Sequence, residues 1–304
     1  MPVVRSAPSL ARFILVASSA SSLALGTSCR EHDADPRGGL RDDFGDAVSI
    51  AASPRRIVSL NPTTTELLYA IGAGARLVGR TSYDLYPPQA REVPDLGPGL
   101  RPNVEAVLAA QPDLVILYAS EDNRDAARRL RAAGVRTVAY RVDRIADFAR
   151  VTRALGALTG DTAAARVTVD TVQATLARVR AGTATLPHPT AFWILWERPL
   201  LAVGGGSFLN ELLRAAGARN VYDSLPDPSP AVSFEDLLWR DPDVVLASPP
   251  TRARLLADPR WRALRAVREG RVLVFDTTIV NGPSARVGAS AESLARLLHP
   301  SEVH

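Results

Sequence analysis

Asn103–Leu117 reads NVEAVLAAQPDLVIL, and Ser233–Ala247 reads SFEDLLWRDPDVVLA. Laid over each other, Glu105 falls on Glu235, Leu108 on Leu238, Pro112 on Pro242, Asp113 on Asp243 and Val115 on Val245. In each copy a helix cap (Asn103, Ser233) opens a short apolar-periodic run, Pro-Asp makes the turn, and a β-branched run follows as a strand. A second pair lies upstream: ELLYAIGAGARLV from Glu66 and ELLRAAGARNV from Glu211. A chain that repeats helix–turn–strand units in this way is expected to fold as two similar lobes. The space between two such lobes is a natural place for a small ligand.

The rest of the chain fits that plan. Its 304 residues suffice for two ordinary domains, and 46% hydrophobic with 22% charged residues is a globular composition. Strands read at Arg56–Leu60, Leu77–Gly79, Leu114–Tyr118 and Val135–Tyr140 alternate with helical patterns. That alternation predicts an α/β fold with parallel-type sheets. Helices are expected at Ile145–Leu158 and Asp161–Arg180, separated by Gly160. The second carries Val169, Val172, Leu176 and Val179 at helical spacing. Twenty residues of helix span about 30 Å, the width of a small domain. The expected architecture is therefore two α/β lobes, 53–143 and 187–304, joined through a helical region at 144–186 whose long rigid helix forms the crossover. Such a crossover allows small opening motions rather than a wide hinge. In the second lobe, Thr190–Leu195, Val244–Ala247 and Arg271–Phe275 read as strands. Phe208–Ala216, Phe234–Trp239, Trp261–Ala266 and Ala289–Leu298 read as helices.

Arg5 and Arg12 precede the apolar run Phe13–Gly26, and Cys29 follows closely. A basic start and an apolar stretch shorter than a membrane span make residues 1–29 an export signal. Its form resembles a bacterial lipoprotein signal with Cys29 as the lipidated residue, although Gly26 stands where a Leu-type residue is usual. An ordinary cleaved signal with an incidental Cys is the alternative. Residues 30–52, rich in Asp, Arg and Gly, read mostly as a tether, with a short strand near Ala47–Ile50.

Composition also excludes several functions. Cys29 is the only Cys, so neither an internal disulfide nor a thiolate zinc site can form. The four His (His32, His188, His299, His304) have no ligand spacing, and no metal site is expected. Every basic side chain is Arg, and these are scattered among acids at a net charge of +4, without the concentrated stripe nucleic acid requires. No catalytic constellation stands out, so no catalytic residue and no cofactor are assigned. Gly204–Ser207 (GGGS) lacks the Lys of a phosphate loop and reads as a tight turn.

RIVSLNPTTTELLYAIGAGARLVGRTSYDLYPP, NVEAVLAAQPDLVIL, GGGSFLNELLRAAGARNVY and SFEDLLWRDPDVVLA, in this order and spacing over about Arg55–Pro300, resemble the substrate-binding proteins of ABC importers for vitamin B12, haem and iron–siderophores. The resemblance is strongest to the cobalamin receptors. It implies a monomeric receptor in the periplasm or on the outer membrane face, holding a corrinoid or metal chelate whose cobalt or iron belongs to the ligand. It also implies a permease dimer and its ATPase subunits as partners. An envelope enzyme on the same scaffold and a direct metal-ion receptor are the alternative readings.

Some site residues follow from the same resemblance and others from the residues themselves. In this family one Glu at the tip of each lobe pairs with Arg of the permease, which assigns docking to Glu105 and Glu235; stabilisation of the helix dipole explains acidic first turns in general, but explains less well why both copies carry Glu at this site. Tyr83 matches a ligand-facing Tyr of cobalamin receptors, and it reads also as packing beside two prolines. Trp193 and Trp196 should face opposite sides of their strand, with Trp196 the one for the cleft. Arg198 and Arg286 could meet a propionate, phosphate or carboxylate, or simply be solvated surface charges. Two aromatics expected before the docking acids are missing from Pro98–Arg101 and Asp227–Pro230, which leaves haem or a siderophore open beside a corrinoid.

Overall fold

A computed structural model describes residues 40–50, 52–275 and 282–300. The segment expected to be an export signal, with Cys29, lies outside these residues.

The first lobe is built on β1 (Ile57–Leu60), β2 (Leu77–Gly79), β3 (Leu114–Tyr118) and β4 (Arg136–Tyr140), all parallel in the order β2-β1-β3-β4. Its helices are α1 (Pro62–Ala70), α2 (Val104–Ala109) and α3 (Glu121–Ala132). Strands buried on both faces explain the unbroken apolar runs: β1 is buried throughout and β3 nearly so. α4 (Ile145–Thr159) and α5 (Thr162–Thr183) follow. Gly160 between them has φ +82°, a left-handed geometry that ends α4 at little cost only with glycine.

The second lobe comprises β5 (Thr190–Glu197), β6 (Leu200–Ala202), α6 (Phe208–Ala215), β7 (Arg219–Asn220), α7 (Phe234–Arg240), β8 (Val244–Ala247), α8 (Pro249–Ala257), α9 (Arg265–Arg268), β9 (Val272–Val274) and α10 (Val287–Leu298). β7, β8 and β9 extend β5 in parallel, giving the order β7-β5-β8-β9 that repeats β2-β1-β3-β4 of the first lobe. The sequence repeat is thus a topological one. α1 corresponds to α6, α2 to α7 and α4 to α10. The second sheet is mixed rather than purely parallel, because β6 folds back antiparallel on β5.

α5 packs against α4 on one side and α10 on the other. Its Val169, Val172, Leu176 and Val179 are all buried. One apolar core runs from Ile57, Leu67 and Phe148 through these residues to Leu212, Trp193 and Leu294. Both lobes therefore close on the same helix.

Several local expectations are corrected. Asn61, not the Thr run, caps α1 by accepting from Thr63 N, so Glu66 sits beyond the first turn. Residues 259–263 form a 3-10 turn, with α9 after it, in place of one helix at 261–266. α8 lies where the sequence reading places no element; both of its prolines, Pro249 and Pro250, occupy the first turn, where no amide hydrogen is needed. The reading of 30–52 as a tether fails over 40–48. Asp42 is buried and accepts from the amides of Phe44, Asp46 and Ala139 and from Arg131, pinning this segment along the outer edge of β4. A covered sheet edge is protected from stray pairing. Among the described residues of this segment the ladder contact is a single bridge between Arg41 and Ala47, not a strand at 47–50.

Candidate ligand cleft and docking tips

The carboxyl ends of β5 and β8 open onto a cavity of about 890 Å³. Its lining includes Ile194, Trp196, Arg198, Ser207, Ser248 and Arg254. Strand alternation separates the two tryptophans as expected. Trp193 is fully buried, edge-on to Phe275, whereas Trp196 is 63% exposed. The indole N–H of Trp196 donates to the carbonyl of Arg198 at 3.1 Å, which fixes the ring. Ser207 and Ser248 are the N-caps of α6 and α8, each accepting from its own helix, so two helix starts with their partial positive charge meet at this cavity. Arg254 is tied to Glu197 at 2.7 Å, and that contact holds the Glu197 carboxyl below its ordinary range. Arg198 has no carboxylate within ion-pair distance among the described residues, which leaves it available to an acidic ligand group.

Tyr83, 57% exposed, stands in the other lobe, on the stretch between β2 and α2 that also exposes Leu85, Tyr86 and Leu100. Its loop is moored by Asp84, which is buried and accepts from Thr65 at 2.5 Å and from Thr81. Burial raises the Asp84 carboxyl above its ordinary value despite these hydroxyls. The described cavity lining comes from the second lobe alone, so Trp196 and Arg198 share a wall while Tyr83 lies apart from it.

Arg286 has a different setting from that expected. It sits just before α10, mostly buried, with its guanidinium on Glu66 of α1 at 2.8 and 2.9 Å and over the Tyr86 ring at 4.1 Å. It binds one lobe to the other. A matching contact runs in the opposite sense: Arg144, just before α4, pairs with Glu211 of α6 and donates to the Gly206 carbonyl, while Glu211 also accepts from Ile145 N at 2.7 Å. The signal for both acids was in the sequence, as the shared ELL of the upstream repeat. The three glycines beside Arg144 are explained by crowding. A Cβ on Gly204, Gly205 or Gly206 would stand 2.0, 2.0 or 2.1 Å from the carbonyl oxygens of Asp227, Asp223 and Pro226.

Glu105 and Glu235 both lie exposed in the first turns of the equivalent helices α2 and α7. Asn103 caps α2 by accepting from the amides of Glu105 and Ala106, and Ser233 caps α7 by accepting from Asp236 N. Glu105 meets Arg129 at 3.2 Å in a solvated pair of little energetic weight. Glu235 has no cation at ion-pair distance among the described residues. Its neighbour Asp236 is taken by Arg240, which holds that carboxyl low. Among the described residues no three His, Cys, Asp or Glu side chains gather as a metal site, and no helix is long and apolar enough to cross a membrane.

Residues 57–278, most of the chain, match the periplasmic binding protein family. The chain belongs to that family. The vitamin B12-binding protein of Photorhabdus laumondii is 27% identical over 252 residues, covering 83% of this chain and 90% of its own. The solved periplasmic vitamin B12-binding protein of Vibrio cholerae matches with a TM-score of 0.72 at 25% identity, over 83% of this chain and 99% of that one. A periplasmic haem-binding protein of Pseudomonas aeruginosa matches with a TM-score of 0.72 at 26% identity, over 82% of this chain and 94% of that one. These relatives are binding proteins rather than enzymes. Backbone similarity is the same to a B12 binder as to a haem binder, so within this family the fold does not choose the ligand.

Proposed function

We propose that this chain is the extracytoplasmic receptor of an ABC importer and captures a corrinoid, haem or ferric siderophore between its lobes. The observation that carries this reading is the second lobe's cavity of about 890 Å³, walled by an exposed, fixed indole beside an arginine with no carboxylate at ion-pair distance among the described residues. That volume lies within the 300–1,000 Å³ usual for ligand pockets, and a planar ring with acidic edges complements such a wall. Tyr83, Tyr86 and Leu100 supply apolar surface from the other lobe. In this reading Glu105 and Glu235 seat the two tips on a permease dimer, and Cys29 carries a lipid that keeps the receptor at the membrane. Arg286 serves the lobe junction and reaches ligand only if Glu66 releases it. A bare-ion receptor finds no ligand cluster among the described residues.

The test is spectroscopic. Protein purified from its native host should carry corrinoid, haem or ferric-chelate absorbance. Stripped protein titrated with cyanocobalamin, haemin or a ferric siderophore should show quenched tryptophan fluorescence and a raised Tm with one of them. Arg198→Ala should weaken that ligand by about tenfold, the effect of one charge-assisted contact. A response to bare zinc or manganese alone, or turnover of the added compound, would overturn the proposal.

A further inference from the structure

Trp239 is 81% exposed, more than any other large apolar side chain described. It follows Glu235 by four residues on α7, so the two share one face of the helix. The platform beneath is rigid. Ser233 caps α7, Arg240 pairs with Asp236 at 2.8 Å, donates to the Val221 carbonyl at 2.6 Å and lies 4.6 Å over the Tyr222 ring. The Arg240 guanidinium also stands over the indole, 5.9 Å from its centroid, and still leaves the ring mostly exposed. A side chain of this kind buries 150–250 Å² when it finds a partner, and a rigidly presented Trp is the residue type most often found to dominate an interface. The equivalent position on the other tip is Ala109, also exposed.

We infer that Trp239 is the apolar anchor of the receptor on its permease, entering a hollow beside the basic group that meets Glu235. This rests on the docking role proposed for Glu105 and Glu235. The unpaired acid next to the indole selects the occupant. A second copy meeting through the same patch would set Glu235 against Glu235 across the two-fold axis, and an anionic lipid surface would repel it. A permease surface with a cation flanked by apolar side chains complements both. Because only one tip carries the indole, only one half-site of a two-fold permease is filled by it.

The experiment measures docking of full-length receptor to the host's permease–ATPase complex in nanodiscs, at low salt and at high salt. Trp239→Ala should weaken docking by at least about tenfold, chiefly through faster dissociation, and Trp239→Phe by much less. Ligand affinity should not change in either variant, which also certifies their folding. The Trp239→Ala defect should persist at high salt, whereas the Glu235→Arg defect should shrink. If Glu235→Arg loses docking while Trp239→Ala docks as wild type, this inference fails and the acid-mediated seat stands. If Glu105→Arg, Glu235→Arg and Trp239→Ala all dock normally, the seat itself is elsewhere. Trp239-dependent dimers in sedimentation, or Trp239-dependent binding to permease-free phosphatidylethanolamine–phosphatidylglycerol vesicles, would also overturn it.

Discussion

Glu66 and Glu211 hold the same place in the two copies of the ELL segment, and each reaches an arginine just ahead of a helix in the opposite lobe. Their surroundings differ. Glu66 is 7% exposed against an arginine at 17%, and Tyr86 covers that arginine. Glu211 is 20% exposed against an arginine at 46%. An ion pair shut away from water is costly to break, because the abandoned charge has no solvent to turn to; a half-exposed pair is readily replaced by water. Repetition of sequence has thus produced one firm junction and one yielding junction. Small relative movements of the lobes should pivot near Glu66–Arg286 and open near Arg144–Glu211.

The sharpest way to break this comparison is to cut each pair by the same substitution. Glu66→Ala should lower stability by about 2–3 kcal/mol, since it takes both charge-assisted bonds to Glu66 away from a mostly buried guanidinium. Urea unfolding followed by circular dichroism measures it, and replacing Arg286 by Met in the same chain should recover much of the loss. Glu211→Ala should cost about 1 kcal/mol, the worth of its bond to Ile145 N plus a screened pair. Equal losses from the two variants would erase the distinction. The smallest effect concerns pH and the loop that carries Tyr86. The folded-state pKa of Asp84 is raised above its ordinary value of 3.8, with burial as the main cause. Its contribution is therefore full at the acid end and is lost as pH rises from that ordinary value through the raised one. Asp84→Asn should flatten the stability–pH curve in that window, and an unchanged slope would mean the carboxylate is better solvated than its burial implies.

Much of this architecture is legible in the chain because its signals are local. Asn103 and Ser233 announce helix starts, Gly134 and Gly160 adopt the positive φ that ends helices, and the β-branched runs between them become buried strands. The alternation in TAFWILWE was enough to send Trp193 inward and leave Trp196 out. What was not legible depends on distance along the chain. Arg286 and Glu66 are 220 residues apart, and nothing near either names the other. An arginine read alone looks like a ligand contact, and only the folded chain reveals the acid already holding it. Asp42 gave the same lesson: a polar stretch reads as a linker until one carboxylate is seen bonded to an edge strand 97 residues away. The Pro-Pro start of α8 was hidden for another reason, since proline signals both a break and a beginning.

α5 has a consequence for how the molecule comes apart. With Val169, Val172, Leu176 and Val179 wedged into apolar material supplied by both halves, neither half owns a finished interior. Heating should yield one cooperative transition rather than two, and a gene split on either side of this helix should give insoluble fragments instead of two working modules.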